Sequence, residues 1–429
     1  MKVYPEYKAS GIDWLGEIPS HWRVAPGKWS VNFTYGFPAD SRLFSIEKKG
    51  LPLIRIRDIN SVDTEVYYEG TDYPKEAIIH VGDVLIGMDG DFNIAKWKGQ
   101  EAILNQRVCK FNGGNGIIKD FIYYLMPLIL SDINSTKYAT TVKHLSAADL
   151  AEMRLPIPSF DEQEKITAYL DNKTAKIDAL VAEKQAQVED LRKYRTSLIT
   201  ETVTRGLNPD TPFRPSYIDG LGDIPEHWNT SKLKYVSEVQ TGSTPSTSET
   251  KYWEYPNRNW FTPGDFNNFR LYESSRKLSS LAFEETACRI FPKNSVLLVA
   301  IGGTLGKVGI VDGECSANQQ INAISFNELI YPLFGAYYLS ACKSALNQAA
   351  NASTLPILNQ EQTKNFPIVV PPLEEQKEIA EYLDDKTAKI GALIDELNKQ
   401  LEELALYRKA VISEAVTGKV DVRDWKQED

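Results

Sequence analysis

The sequence is short of the residues that build metal sites and disulfide scaffolds, with four cysteines and four histidines in 429 residues. Cys109, Cys288, Cys315 and Cys342 lie far apart with no C-x-x-C spacing. That argues against a zinc knuckle or a disulfide framework and fits a reducing cytoplasm. No apolar run reaches the ~18 residues needed to span a bilayer. The opening stretch MKVYPEYKASGIDW lacks the apolar segment of a secretion signal. What is present is ordinary globular composition, 42% hydrophobic and 25% charged, at a length that predicts two or three domains.

Basic residues are outnumbered, 48 against 58 acids. The formal net charge is −10, which taken whole argues against a nucleic-acid partner. The excess is local, however. Residues 373–429 carry 15 acids and 9 bases, more than half of the imbalance, whereas residues 1–159 and 207–372 are close to neutral. Local basic surfaces on these two segments remain open.

The chain repeats itself. Residues 11–22 read GIDWLGEIPSHW and residues 217–228 read YIDGLGDIPEHW, an offset of 206. Asn105-Gln106 returns as Asn318-Gln319, and Ala139-Thr140-Thr141 as Ala352-Ser353-Thr354, at an offset of 213. Residues 163–204 align without gaps on 376–417, and 22 of the 42 positions are identical. A unit of roughly 210 residues is domain-sized, too long for a solenoid repeat. In each half a globular segment precedes a long helix. Strand signals fall at 53–56, 83–86 and 102–111, and again at 259–262, 295–301 and 320–325, among turn clusters, with helical patches at 121–130 and 331–349.

The helical arms carry a coiled-coil seam. Asp161 and Glu164 have capping-box spacing at the start of the first arm. The predicted seam runs Ile166, Leu170, Ile177, Leu180, Leu191, Tyr194 and Leu198, interrupted by Lys173, Lys184 and Gln187. In the second arm it runs Ile379, Leu383, Ile390, Leu393, Leu397, Leu404, Tyr407 and Val411. Steps of three and four define such a seam. A helix of about 42 residues is about 63 Å long at ~1.5 Å per residue and cannot bury its stripe alone, so the other arm is the expected partner. Antiparallel arms would relate the two globular parts by a pseudo-two-fold axis, as half-sites in duplex DNA are related.

This arrangement resembles the specificity subunit of type I restriction–modification systems over nearly the whole chain. The residues that carry the likeness are the motif at 12–22 with its copy at 218–228, and the P-x-x-x-x-Q lead into each arm at 158–163 and 371–376. In the second half TGSTPS (241–246), Tyr252-Trp253, TPGD (262–265), Gly302 to Gly306 and NQQI (318–321) add to it. The first half departs, with Ile56-Arg57-Asp58-Ile59-Asn60 opposite Pro263-Gly264-Asp265-Phe266-Asn267 and no TPS turn. Recognition domains that read different half-sites are expected to diverge.

The resemblance implies an α+β fold: two mixed α/β target-recognition domains separated by two long helices forming an antiparallel coiled coil, an internal pseudo-two-fold repeat. The expected domains are 1–158 (first recognition domain), 159–206 (first arm), 207–372 (second recognition domain) and 373–429 (second arm and C-terminal tail). It implies a non-catalytic, cytoplasmic, DNA-binding subunit that reads a bipartite double-stranded target. Its implied partners are modification (methyltransferase) subunits, two in number, and restriction (motor-nuclease) subunits. No cofactor is expected in this chain; S-adenosylmethionine, ATP and Mg belong to the partners.

Base reading needs polar and basic side chains on loops, because Arg and Lys pair with guanine and Asn and Gln with adenine in the major groove. The first-half candidates are Arg55, Arg57, Asn60, Asp91, Asn93, Lys96, Gln106, Arg107, Lys143 and His144. The second-half candidates are Thr241, Ser243, Thr244, Ser246, Lys251, Tyr252, Thr304, Lys307, Gln319 and Gln320. Asn105, Asn318, Asp58 and Asp265 recur in both halves, which suits a fold-fixing or phosphate role better than base reading. Trp22, Trp228, Ile18 and Ile224 read as packing anchors, and His21 and His227 as hydrogen-bonded structural residues. Gly302, Gly303 and Gly306 suit tight turns.

Catalytic motifs are missing. Asn208-Pro209-Asp210-Thr211 falls short of an amino-methyltransferase motif. GGTLGK at 302–307 is not a phosphate loop, because Ile301 stands where its first Gly belongs and Val308 where Ser or Thr belongs. Glu47-Lys48-Lys49 lacks the upstream acid of a nuclease site. The competing readings are a coiled-coil scaffold without a DNA role and a catalytic fusion with a cryptic nuclease site.

Overall fold

Two helices of 46 and 44 residues, Phe160–Arg205 and Leu373–Val416, run through both halves of the chain. The computed structural model describes residues 2–137, 143–218, 220–350 and 355–427; the repeated triplets at 139–141 and 352–354 lie outside them. The chain divides into two compact units, Met1–Lys184 with Lys399–Asp429, and Gln185–Asn398. Each unit holds one globular part and a stretch of each long helix.

Within each unit the two helix stretches are antiparallel. In the first, Arg408 Nε donates to Asp178 Oδ1 at 2.8 Å and Lys184 Nζ to Gln400 Oε1 at 2.5 Å, so one number rises as the other falls. In the second, Val188, Ile390 and Ile394 form a cluster with Leu191, Leu198 and Leu397. The seam departs from the sequence reading at four positions, whereas Ile166, Leu170, Ile177, Ile379, Leu383, Ile390 and Val411 are buried as expected. Leu180, Tyr194, Leu393 and Tyr407 are 46%, 56%, 55% and 47% exposed. Val181, Lys184 and Val188, and Ile394, Leu401 and Arg408, turn inward instead. An unbroken three-four alternation through Thr174, Ile177, Val181, Lys184 and Val188 requires polar residues in the seam. The inward residue lies one position beyond the expected one at Leu180, Leu393 and Tyr407. The first helix starts at Phe160, where Ser159 Oγ accepts the Glu162 N–H at 3.3 Å, so Ser159 and not Asp161 caps it.

The glutamine of the P-x-x-x-x-Q motif ties each long helix to its globular part. Gln163 is fully buried; its amide oxygen accepts from Ile118 N and its amide nitrogen donates to the carbonyls of Gly116 and Pro158. Gln376 repeats this with Tyr331 N, Leu329 O and Pro371 O. One amide thereby satisfies three backbone groups. The preceding glutamate fastens the repeated N-terminal motif. Glu162 accepts from the Tyr4 hydroxyl at 2.6 Å and lies 2.9 Å from His21 Nε2. Glu375 lies 2.8 Å from His227 Nε2 and accepts from Trp228 Nε1 at 3.0 Å. Trp22, Trp228, Ile18 and Ile224 are wholly buried. Trp22 packs at Gly418 and Trp228 at Gly206, the left-handed glycines that end the two long helices.

The globular part of the first unit contains two main sheets. The strands Leu51–Ile54 and Ala102–Leu104 are parallel neighbours in a five-stranded sheet, with Leu104 opposite Ile54. The antiparallel strands Val84–Gly87, Ile94–Lys96, Val108–Phe111 and Phe33–Tyr35 form a four-stranded sheet. The single strand expected at 102–111 is thus two, broken by a turn at 105–107 that carries the chain between sheets. Helix Lys119–Lys137 packs Phe121, Leu125 and Leu130 into a core shared with Ile166 and Leu170.

The second unit repeats the plan. Arg258–Phe261 and Ser316–Ala317 are parallel, with Phe261 opposite Ala317. Val296–Val299 pairs antiparallel with Val308–Val311 and with Ile321–Phe326, which also pairs with Ser237–Thr241. Helices Pro332–Ala341 and Lys343–Ala349 occupy the expected 331–349 patch.

Candidate nucleic-acid interface

Strand direction decides where the candidate residues meet. In the first unit the parallel strands Leu51–Ile54 and Ala102–Leu104 end together, so the turns at 55–60 and 105–107 leave the same edge. Val84–Gly87 ends where Val108–Phe111 begins, with Gly87 opposite Val108, which brings the 88–93 hairpin to that edge. Residues 143–145 close the rim: Gly90 N donates to Lys143 O at 3.1 Å and Leu145 N to Met88 O at 2.7 Å. Nine of the ten first-half candidates share this rim. Lys96 does not. It lies at the far end of its strand, opposite Val84, with Nζ 2.7 Å from Asp120 and 4.9 Å from the Tyr123 ring centroid.

The side chains on the rim are organised by charge. Asp89 Oδ1 accepts from His144 Nδ1 at 2.6 Å, Arg107 Nε lies 3.6 Å from Asp89 Oδ2, and Arg107 Nη1 lies 3.2 Å from His144 Nδ1. Lys143 Nζ is 3.9 Å from Asp91. Arg57, Asn60, Asn93 and Gln106 are exposed. Arg55 is mostly buried and turns inward, its Nε donating to Asp58 Oδ2 at 2.9 Å as part of the capping of the 56–58 turn. Its role is to shape the loop.

The second unit builds the same rim from different residues. The turn at 105–107 and its counterpart at 318–320 share their backbone bonds. Asn105 N donates to Ile54 O and Asn318 N to Phe261 O, both at 3.0 Å; Gly36 N donates to Val108 O and Gly242 N to Ile321 O; Met88 N donates to Arg107 O and Ala300 N to Gln320 O. Glycine is required at 36 and 242, where a Cβ would lie 2.1 and 2.2 Å from the carbonyl oxygens of Asn105 and Asn318. Asp265 accepts from Thr262 N and Oγ1 as Asp58 does from Arg55 N and Nε, so the shared acids hold the turns. Burial works against the Asp265 charge, but the bonds from Ser275 and Thr262 outweigh it and lower its pKa.

Gln319 and Gln320 are exposed on this rim, with Gln319 Oε1 accepting from Thr244 at 2.6 Å and Gln320 Oε1 from Asn318 Nδ2 at 3.0 Å. Ser243 Oγ accepts from Arg289 N at the surface, and Thr241 Oγ1 donates to Asn322 at 2.7 Å, so both hydroxyls are engaged within the protein. Ser246 bonds Ser248, while Lys251 and Tyr252 both meet Glu285, whose carboxylate raises the pKa of each. Lys307 reaches back to Phe266 O at 3.3 Å from the 300–307 hairpin, which also carries the half-buried Thr304. Gly302 and Gly306 have positive φ, and Gly303 does not.

Sequence reading missed Arg289, which donates to Thr241 O through its guanidinium, and Arg276, stacked 4.8 and 5.0 Å from the rings of Trp253 and Trp260. Neither has a signal in the repeat. It also missed Ile301 and Ile357, which form the bridge that Asp89 and His144 form in the first unit; the offset of 213 carries His144 onto Ile357 but misses Ile301 by one residue. Among the described residues no cluster of His, Cys, Asp and Glu could hold a metal ion. No described helix is long and apolar enough to cross a membrane.

The family model for the type I restriction modification DNA specificity domain matches residues 40–190 and 225–403. The chain is 30% identical to the EcoBI specificity subunit of Escherichia coli, over 97% of this chain and 90% of that protein. It is 25% identical to the MjaVIII specificity subunit of Methanocaldococcus jannaschii, over 82% of each. Its fold matches that of a chain from a structure of complex assembly and conformational transition in the type I R–M system. The TM-score is 0.72 at 18% identity, covering 94% of this chain and 99% of that one. Two matched domains, near full-length similarity and a shared fold place this chain in the type I restriction–modification DNA specificity family.

Proposed function

We propose that this chain is the DNA-specificity subunit of a type I restriction–modification complex. Each globular part reads one half of a bipartite duplex target through its rim of loops, and the long helices dock the modification subunits. The observation that carries this reading is the duplicated rim: one backbone bonding scheme presents different polar side chains at matched positions, Arg107 in one unit and Gln320 in the other. Two readers on one scaffold suit a split site of unlike halves. The chain itself is non-catalytic. S-adenosylmethionine is bound by the modification subunits, and ATP and Mg by restriction subunits where these join. The bound duplex is recognised in the cytoplasm.

A genome-wide map of methylated adenines in the source strain, with and without this gene, tests the reading. The expected result is loss of one split motif, two short half-sites flanking an unread gap. A methylation pattern that does not change, from a system otherwise shown to be active, would favour the scaffold reading instead.

A further inference from the structure

The two rims share a backbone but differ in one matched set of three side chains. Position 107 in the first unit corresponds to 320 in the second, since Met88 N donates to Arg107 O at 2.9 Å and Ala300 N to Gln320 O at 2.8 Å. Positions 89 and 144 correspond to 301 and 357, since Asp89 bridges His144 and Ile301 bridges Ile357 in the same antiparallel sense. The flanking bonds agree: Gly90 N donates to Lys143 O and Gly302 N to Pro356 O; Leu145 N donates to Met88 O and Leu358 N to Ala300 O. At one structural site, therefore, the first unit has Arg107, Asp89 and His144, and the second has Gln320, Ile301 and Ile357.

Each set is chemically consistent. The arginine is exposed beside an acid, Nε lying 3.6 Å from Asp89, and the acid is held by His144 at 2.6 Å. The glutamine has no charge to balance, and the acid–imidazole pair beside it is replaced by two aliphatic side chains. One of them, Ile357, is 40% exposed. An exposed isoleucine on a polar rim has a reason if it meets an apolar group. A G·C pair offers two guanine acceptors to arginine and a cytosine amino donor to a carboxylate. An A·T pair offers adenine's donor and acceptor to an amide and the thymine methyl to an aliphatic chain. Gln320 keeps its amide donors and the second lone pair of Oε1 available for that pairing.

Resting on the DNA-specificity reading above, we infer that these triads are the matched base-pair readers of the two halves. Arg107 with Asp89 selects a G·C pair in the half-site of the first unit, and Gln320 with Ile357 an A·T pair in that of the second. His144 is a positioning residue, acting through Asp89.

The test uses the complete chain assembled with its modification subunits and synthetic duplexes carrying every single base-pair change in each half of the mapped target. The triple variant Arg107→Gln, Asp89→Ile, His144→Ile should move the preferred pair at one position of one half-site from G·C to A·T. The swing is about ten- to a hundred-fold, and the other half-site should not change. The reciprocal variant Gln320→Arg, Ile301→Asp, Ile357→His should do the opposite in the other half. Arg107→Ala gives a reading that needs no transplant: discrimination should collapse at that one pair and persist elsewhere. An unchanged optimum, or uniform weakening over the whole panel, would overturn the inference and leave the specificity reading standing. A wild-type complex that prefers no split target would overturn both.

Discussion

Gln376 is the most exacting place to test how the globular parts are joined to the long helices. Truncation to Ala removes one acceptor and two donated bonds, leaving Tyr331 N, Leu329 O and Pro371 O without partners. Of the three bonds only that to Pro371 O is fully buried; the other two are partly open to water. An orphaned buried backbone group costs about 1–3 kcal/mol and a partly hydrated one about half of that, so the sum is roughly 2–6 kcal/mol. The second unit spans Gln185–Asn398. In a unit of that size each kcal/mol moves the midpoint by about 2–4 °C, giving a downward shift of roughly 4–24 °C in one transition. Differential scanning calorimetry of Gln376→Ala beside Gln163→Ala reads it, since the two variants should lower different transitions if the units melt separately. Gln376→Glu keeps the acceptor but sets a carboxylate against two carbonyls, and should be at least as damaging at neutral pH. A shift under about 2 °C for Gln376→Ala would refute the argument that this amide satisfies otherwise stranded groups.

Four further outcomes follow from the same structure. Arg408→Ala should cost no more than about 1 kcal/mol, and less in high salt, because the Asp178 pair is partly exposed at 35% and 55%; urea titrations at two salt concentrations would show it. Gly242→Ala drives a Cβ to 2.2 Å from Asn318 O and should destabilise by about 3 kcal/mol or more while deforming the rim, read as paired loss of melting temperature and target binding. The depressed pKa of Asp265 means its contribution is full above the ordinary carboxylate value of about 3.8 and is lost as pH falls through the lower folded value. Asp265→Asn should therefore lower the urea midpoint at pH 6, with the gap to wild type closing at the acid end. Ile390 is buried in the seam, so Ile390→Pro should break the second long helix at about 3 kcal/mol or more and abolish co-purification with modification subunits; normal recovery would count against docking along the helices.

Much of the architecture was legible without coordinates. Helix-forming stretches announce themselves through local spacing, and a duplicated chain shows its own repeat, so the paired long helices and the two mixed α/β parts could be read directly. The same locality explains the error in the seam. Leu180 and Leu393 are apolar and near the right phase, but knobs-into-holes packing against a second helix favours an unbroken heptad, which turns Lys184 and Arg408 inward and leaves those leucines out. The rim was only half legible. Residue type pointed to Arg107, Gln319 and Gln320, yet gave no means of separating Lys96, which lies at the wrong end of its strand, Arg55, whose side chain is spent inside its own loop, or Thr241, whose hydroxyl is spent on Asn322 of the neighbouring strand.

What sequence alone determined here is whatever depends on neighbours along the chain: helix periodicity, the Gln of the P-x-x-x-x-Q motif, the duplicated acids Asp58 and Asp265. Tertiary structure alone decided which loops meet. The turns after Ile54 and Leu104 share an edge because two strands some fifty residues apart pair in parallel, and Asp89 meets His144 across a comparable separation. Side-chain type records the chemistry available at a position, but only strand direction and register bring distant positions together to form a site.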